Sequence, residues 1–257
     1  MIKINDLRFQ YSGKQPPLFL GLNCELASGS IVGLLGKNGA GKTSLLKLMI
    51  GLLQPTDGSV EVMSQQPSKR EPSFLQDIYF LPEEFFQPGV SIRNYVKANA
   101  GFYPRFDHDV LAHLINDFEL PENKRLNQLS YGQKKKFLIS FALSTKCRLL
   151  VLDEPTNGLD IPSKAIFRRV MAGSLDEDQL VIISTHQVRD VENLIDRVLM
   201  LEKGKFIMQK NIYELSSRLH FAMTSSPDGE NVLYREMVPG GYKVITSQAG
   251  GDSPVDI

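Results

Sequence analysis

A chain of 257 residues with 42% hydrophobic and 23% charged residues is long enough to bury a sizeable core, and its composition excludes the disordered and collagen-like classes. Lys plus Arg and Asp plus Glu each number 29, so no overall positive field gathers nucleic acid or anionic lipid, and nucleic acid is not an expected partner. The two cysteines, Cys24 and Cys147, have neither the spacing of a metal site nor the density of a disulfide scaffold, which points to a reducing compartment.

In chain order, residues 3–9, 23–25 and 30–35 are β-branched and apolar segments between turns and predict strands. Lys3, Asp6 and Arg8 interrupt the first ten residues before an apolar leader could form, and the longest apolar runs are strand-sized, against roughly 20 residues needed to cross a bilayer. The expectation is a cytoplasmic protein that meets a membrane only through a partner. Residues 43–53 carry Leu45, Leu46, Leu48, Met49 and Leu52 at helical spacing, with Gly51 near the end, and residues 59–63 return to a strand. Between about residues 91 and 143, Ser91, Asp107 and Ser130 stand as N-caps ahead of helical patterns and predict a helical insertion. Strand and helix then alternate over residues 148–152, 162–172, 180–184 and 187–195, as in a parallel α/β sheet. Residues 197–202 and 205–209 flank Lys203 and Gly204 as a hairpin, and 213–220 predict a short helix. From about Phe221 the chain becomes rich in Ser, Gly, Pro and Asp, with short runs at 231–233 and 242–245, and predicts a small appendage over 221–257.

The strongest local signal is Gly36-Lys37-Asn38-Gly39-Ala40-Gly41-Lys42-Thr43, a G-x-x-x-x-G-K-[ST] loop between a predicted strand and a predicted helix. Its glycines let backbone N–H groups turn toward phosphate oxygens, and the following helix adds its positive end. Gly36, Asn38, Gly39, Ala40, Gly41, Lys42, Thr43 and Ser44 are the candidate phosphate-binding residues, with Lys42 on the β- and γ-phosphates and the Thr43 hydroxyl on Mg²⁺. Kinases, GTPases and motors all share such a loop. Residues 149–152 form an apolar strand that delivers Asp153 and Glu154 at its C-terminal end. Asp153 fits a Mg²⁺ ligand and Glu154 a general base for an attacking water, which favours hydrolysis over transfer to a second substrate.

Leu129-Ser130-Tyr131-Gly132-Gln133 opens a predicted helix about twenty residues before that carboxylate strand. It resembles the LSGGQ element of the ABC ATPases, with Tyr131 replacing the first glycine, and the resemblance runs over roughly residues 1–219. The resemblance implies an ABC ATPase fold for residues 1–220: a P-loop α/β core, an antiparallel β subdomain and an inserted α-helical subdomain over about 85–143. It implies ATP and Mg²⁺ as cofactors, with Ser130, Gly132 and Gln133 binding the γ-phosphate of an ATP held by a second protomer. By the same resemblance Asp160, in Gly158-Leu159-Asp160, is a dimer contact, His186 contacts the γ-phosphate, and Tyr11 stacks on adenine. Where the family places a glutamine that touches Mg²⁺ and the water, this chain has Glu83, which can ligate the metal but donates no amide hydrogen. The resemblance further implies a separate polytopic membrane subunit docked on the helical subdomain and the Glu83 loop, and a location at the inner face of the membrane. Tyr103-Pro104-Arg105-Phe106-Asp107 and Glu83 are similar to drug and antibiotic-peptide exporter subunits. A soluble iron-sulfur assembly ATPase of the same family is the alternative. Lys134, Lys135 and Lys136 are expected to be a solvated helix face.

Overall fold

The computed structural model describes residues 1–86, 88–121, 123–226 and 232–247. In chain order its elements are β1 (Ile2–Phe9), β2 (Phe19–Leu26), β3 (Ser30–Leu35), α1 (Lys42–Met49), β4 (Asp57–Val62), α2 (Pro72–Leu75), β5 (Ile78–Leu81), α3 (Ile92–Asn99) and α4 (His108–Asp117). There follow α5 (Tyr131–Ser144), β6 (Leu149–Asp153), α6 (Ile161–Ser174), β7 (Leu180–Thr185), β8 (Arg197–Glu202), β9 (Lys205–Asn211), α7 (Ile212–Arg218), β10 (His220–Thr224), β11 (Val232–Val238) and β12 (Gly241–Thr246).

The central sheet has the order β5-β6-β7-β3-β8-β9, parallel throughout except for β9, which pairs antiparallel with β8. Its inner strands are apolar on both faces, and the two faces feed different cores. On β3, Ile31 and Leu35 pack with the helical side, while Val32 and Leu34 pack with α1 and the antiparallel sheet β2-β1-β4. The period of two along one strand therefore joins both cores. The antiparallel sheet buries alternate residues of β1, Ile2, Ile4, Leu7 and Phe9, with the phase broken by an irregularity in pairing between Ile4 and Leu7.

Between β5 and β6 the chain is helical. Ser91, Asp107 and Ser130 cap α3, α4 and α5, each side-chain oxygen accepting from a backbone N–H one turn into the helix. These helices pack through an aromatic group in which Phe141 touches Tyr79, Tyr95, Tyr103 and Phe106. Burial drives the Tyr79 phenol well above its ordinary pKa, as it does Tyr103.

Two local expectations fail, and a third is exceeded. Residues 187–195 do not form an α-helix: a 3-10 turn at Val188–Asp190, three i to i−3 hydrogen bonds and a single i to i−4 bond from Glu192 to Val188 carry the chain toward β8. Val191, Leu194 and Ile195 are buried as a helical pattern demands, but Asp196 must pair both its N–H and its carboxylate with Ile31 on β3. A full helical turn there would carry Asp196 away from Ile31. Beyond Phe221 the run expected at 242–245 lies within β12, and the chain holds more strand than expected, with β10, β12 and β11 forming an antiparallel sheet that already starts at His220. Asn231 of the short run expected at 231–233 lies outside the described residues, as do residues 248–257. Finally, Lys135 in the basic run is fully buried.

Candidate nucleotide site

The strand order β6-β7-β3 brings three chain ends to one edge of the central sheet: the loop after β3, the carboxylates ending β6 and the residue after β7. The loop after β3 can be tight because of its glycines. Gly41 caps α1 with φ at 104°, and a Cβ on it would lie 2.9 Å from the Phe19 ring. Lys42, 7% exposed, donates from Nζ to the Gly36 carbonyl at 2.8 Å and stands 3.5 Å from Glu154 Oε1.

Register fixes the carboxylates. Asp153 pairs with Ser184 across β6 and β7, and the Ser184 hydroxyl donates to Asp153 Oδ1. The other oxygen, Oδ2, accepts from the Thr43 hydroxyl at 2.6 Å. Glu154 takes up φ at 47°, a left-handed conformation that non-glycine residues adopt at a cost, and its N–H is held by the Ser184 carbonyl at 3.0 Å. That bend turns the side chain toward Lys42 and His186. His186 Nδ1 lies 2.9 Å from Glu154 Oε1, and because an ionised carboxylate only accepts, Nδ1 carries the hydrogen. Glu154 Oε2 is buried with no hydrogen-bond partner.

Tyr11, Asn38, Gly39, Gly41, Lys42, Thr43, Ser44, Glu83, Asp153 and Glu154 share the lining of one hollow of about 350 Å³. Tyr11 sits at its rim, 57% exposed, with its hydroxyl 2.7 Å from the Ser44 hydroxyl and its ring edge-on to Phe9. Gly36 and Ala40 belong to the loop but do not line the hollow. His186 reaches it through Glu154.

Ser130, Gly132, Gln133 and Asp160 stand apart from that lining. Ser130 and Gln133 form a reciprocal capping box on α5, Ser130 Oγ accepting from Gln133 N–H at 3.2 Å and Gln133 Oε1 from Ser130 N–H at 3.1 Å. Asp160 caps α6, and hydrogen bonds from Ser163 hold its carboxyl below the usual range, with Lys136 at 3.6 Å adding to the effect. A second, larger hollow of about 790 Å³ lies against α3 and α4, lined by Ile92, Arg93, Val96, Lys97, His108 and Leu111 among others.

Sequence reasoning missed the surroundings of Glu83. Its carboxylate Oε1 accepts from Asn157 Nδ2 at 3.0 Å, and its backbone carbonyl accepts from Tyr131 Oη at 3.0 Å and Lys135 Nζ at 3.3 Å. Burial lowers the Lys135 pKa to about 8, against the opposing pull of Glu83, Asp153 and Glu154. The ammonium also lies 5.4 Å from the centre of the Phe85 ring. Three adjacent lysines are indistinguishable in sequence; α5 turns the middle one inward, to the Glu83 carbonyl and the Phe85 ring. The residues that follow, 137–144, are buried all round the helix and give no phase that would single it out.

A parallel sheet with a glycine-rich phosphate loop before α1 and paired carboxylates on a neighbouring strand defines a P-loop nucleotide-binding domain. Residues 19–157 match the family described as ABC transporter. The chain belongs to the ABC transporter family, as an ATP-binding subunit, and is an ATPase. It is similar to the ABC transporter ATP-binding protein YtrB of Bacillus subtilis, 29% identical over 92% of this chain and 80% of the relative. It is also 30% identical to the SkfA peptide export ATP-binding protein SkfE of Bacillus subtilis, over 72% of this chain and 80% of the relative. A solved ATP-binding subunit of an ABC transporter superposes with a TM-score of 0.74 at 21% identity, covering 84% of this chain and 91% of that one.

Proposed function

We propose that this chain drives solute export as one half of an ATP-closed dimer, coupled to a separate polytopic membrane subunit at the inner face of the membrane. The observation that carries it is a split constellation. Lys42, Thr43, Asp153 and Glu154 line one hollow, with His186 on Glu154, while Ser130 and Gly132 lie outside it on another segment. A nucleotide held by the first set still lacks the second, and a head-to-tail copy supplies it.

Within one half-site the loop N–H groups and Lys42 hold the phosphates, which compete with Glu154 for the Lys42 amine. The donor set at the loop suits Mg²⁺: Thr43 Oγ1 and Asp153 Oδ2 already lie 2.6 Å apart, and Glu83 faces the same hollow. Few protein ligands plus phosphates and waters is the ordinary arrangement for that ion. Thr43, Asp153 and Glu83 would hold Mg²⁺, which supplies charge neutralisation between the phosphates. Glu154 has Oε1 engaged by His186 and Oε2 free of partners, so Oε2 accepts the proton of the attacking water. His186 keeps the carboxylate oriented, and Tyr11 gives the adenine a face to stack on. Opening after hydrolysis returns the halves to separate positions, and the membrane subunit follows that motion.

The membrane subunit docks on the helical side, where the larger hollow offers Arg93, Lys97 and His108 beside apolar Ile92, Val96 and Leu111, with Phe86 and Phe102 exposed nearby in sequence. Export is favoured by the likeness to a peptide export subunit.

Replacing Glu154 by Gln keeps the size of the side chain but removes the base and the charge facing Lys42. The variant is expected to bind ATP within about threefold of wild type, to lose about a hundredfold or more in kcat, and to elute as a dimer with ATP. Pull-down of that variant in mild detergent from its native cells is expected to bring a polytopic membrane chain. Wild-type turnover by Glu154→Gln, or soluble partners alone, would overturn the corresponding part of the reading.

A further inference from the structure

Glu83 lies on the connection between β5 and α3, and three residues from two other segments grip it. Its backbone carbonyl takes hydrogen bonds from two donors of α5, Tyr131 Oη at 3.0 Å and Lys135 Nζ at 3.3 Å. Its carboxylate takes one from Asn157 Nδ2 at 3.0 Å, on the loop between β6 and α6. A carboxylate only accepts, so the Asn157 amide must turn its NH₂ to Glu83, which leaves Asn157 Oδ1 to accept from Gln187 Nε2 at 3.3 Å. Gln187 is held in turn by Lys164 Nζ at 3.5 Å, and Lys164 pairs with Asp190 at 2.7 Å. The amide polarity is thus set in one direction from Lys164 to Glu83.

Packing reinforces the other half of the grip. The Tyr131 ring stacks on Phe85 at 5.5 Å between centroids and 17° between planes. One edge of the ring, Cδ1 and Cε1, lies against Gly158, where a Cβ would come within 2.6 Å of it. Tyr131 therefore touches both the Glu83 segment and the loop bearing Asn157. Lys135, buried beneath Phe85, reaches the same carbonyl as the Tyr131 hydroxyl.

We propose that Asn157, Tyr131 and Lys135 are positioning residues for Glu83, fixing its carboxylate at the wall of the nucleotide hollow and tying its segment to α5 and to the loop after β6 within one chain. This rests on the reading of Glu83 as a ligand on the Mg²⁺ side of the site. It accounts for two local departures together: an acid where an amide would donate for itself is given a dedicated amide donor in Asn157, and a tyrosine at 131 supplies the hydroxyl and the ring that hold its main chain.

The test swaps donor and acceptor. Asn157→Asp faces Glu83 with a second carboxylate, while Asn157→Asp combined with Glu83→Gln restores a donor and an acceptor in reversed order. Two readouts are taken on the full chain: amide hydrogen exchange of residues 81–86 without nucleotide, and kcat against KM for ATP. Asn157→Asp is expected to speed exchange about tenfold and to lower kcat about tenfold with KM within about threefold, and the double variant to return both to within about threefold of Glu83→Gln alone. Tyr131→Phe, which keeps the ring and loses the hydroxyl, is expected to speed exchange at the same residues by a few fold. Unchanged exchange in Asn157→Asp, or a double variant no better than Asn157→Asp, overturns the proposal. Exchange that responds while kcat does not supports the clamp and overturns the catalytic reading of Glu83 instead.

Discussion

At the scale of single residues the site depends on backbone conformations that few side chains tolerate. Gly41 combines φ at 104° with a Phe19 ring that a Cβ would meet at 2.9 Å. Gly41→Ala is therefore expected to destabilise the chain by about 2 kcal/mol, from left-handed strain and overpacking together, and to weaken ATP binding by tilting α1 away from the loop. Denaturant titration and equilibrium binding of a labelled nucleotide measure the two effects; unchanged values for both would contradict this account of the glycine. The cysteines give a second residue-scale expectation. Burial pushes the Cys24 thiol up to about 11 and Cys147 up to about 12, so below those values little thiolate exists in the folded chain. At pH 8 a thiol reagent is expected to modify the native protein about a hundredfold more slowly than the unfolded one, and equal rates would contradict the burial. The sequence disclosed the phosphate loop and the two carboxylates because those functions need fixed residue types at fixed spacing. It did not disclose Asn157 or Lys135, whose roles exist only when Glu83 arrives from more than fifty residues upstream.

At the scale of elements, several proposed site residues also hold helices, and the two duties can be separated. Asp160 accepts from Ser163 N–H at 2.9 Å as the N-cap of α6. Asparagine caps as well as aspartate, whereas alanine costs about 1 kcal/mol. Asp160→Asn is expected to unfold with the wild-type midpoint and Asp160→Ala at a lower one. If Asp160 contacts a second protomer through its charge, both variants lose ATP-driven dimerisation. A loss in Asp160→Ala alone would instead assign the residue to α6. The elements themselves were legible wherever local chemistry and tertiary demand agree, as at the caps Ser91, Asp107 and Ser130. They were not legible where tertiary demand wins. The spacing of Val188, Val191, Leu194 and Ile195 suits a helix, yet the need to deliver Asp196 to Ile31 yields a 3-10 turn. In the C-terminal sheet the strands bury little, so apolar patterning marks them weakly: the run at 242–245 disclosed β12, while β10 and most of β11 were signalled at most by Pro239-Gly240 between Val238 and Gly241, a two-residue hairpin turn with Gly240 at φ 96°.

At the scale of the whole molecule, the sheet order gathers the lining of the nucleotide hollow and leaves Ser130 and Gly132, which the proposed function assigns to a second copy's site, outside it. The β6-β7-β3 neighbourhood is what a parallel sheet with right-handed crossovers allows once strands are assigned, but the sequence could not state which strand lies beside β3. The proposed division into halves makes the dimer testable with two defective chains. Lys42→Ala spoils the phosphate loop and keeps α5 intact; Ser130→Arg fills the start of α5 and keeps the phosphate loop intact. Each alone is expected to be nearly inactive as a homodimer, since every composite site carries a defect. A mixed dimer joins the sound loop of one to the sound α5 of the other and so contains one complete site. Random pairing at equal concentrations gives about half mixed dimers, hence recovery up to about a quarter of the wild-type complement of sites. Activity should peak near a one-to-one ratio and fall toward both ends. A flat titration would mean that Ser130 does not serve the site of a second copy, and that the partner needed to complete the hollow is a different chain.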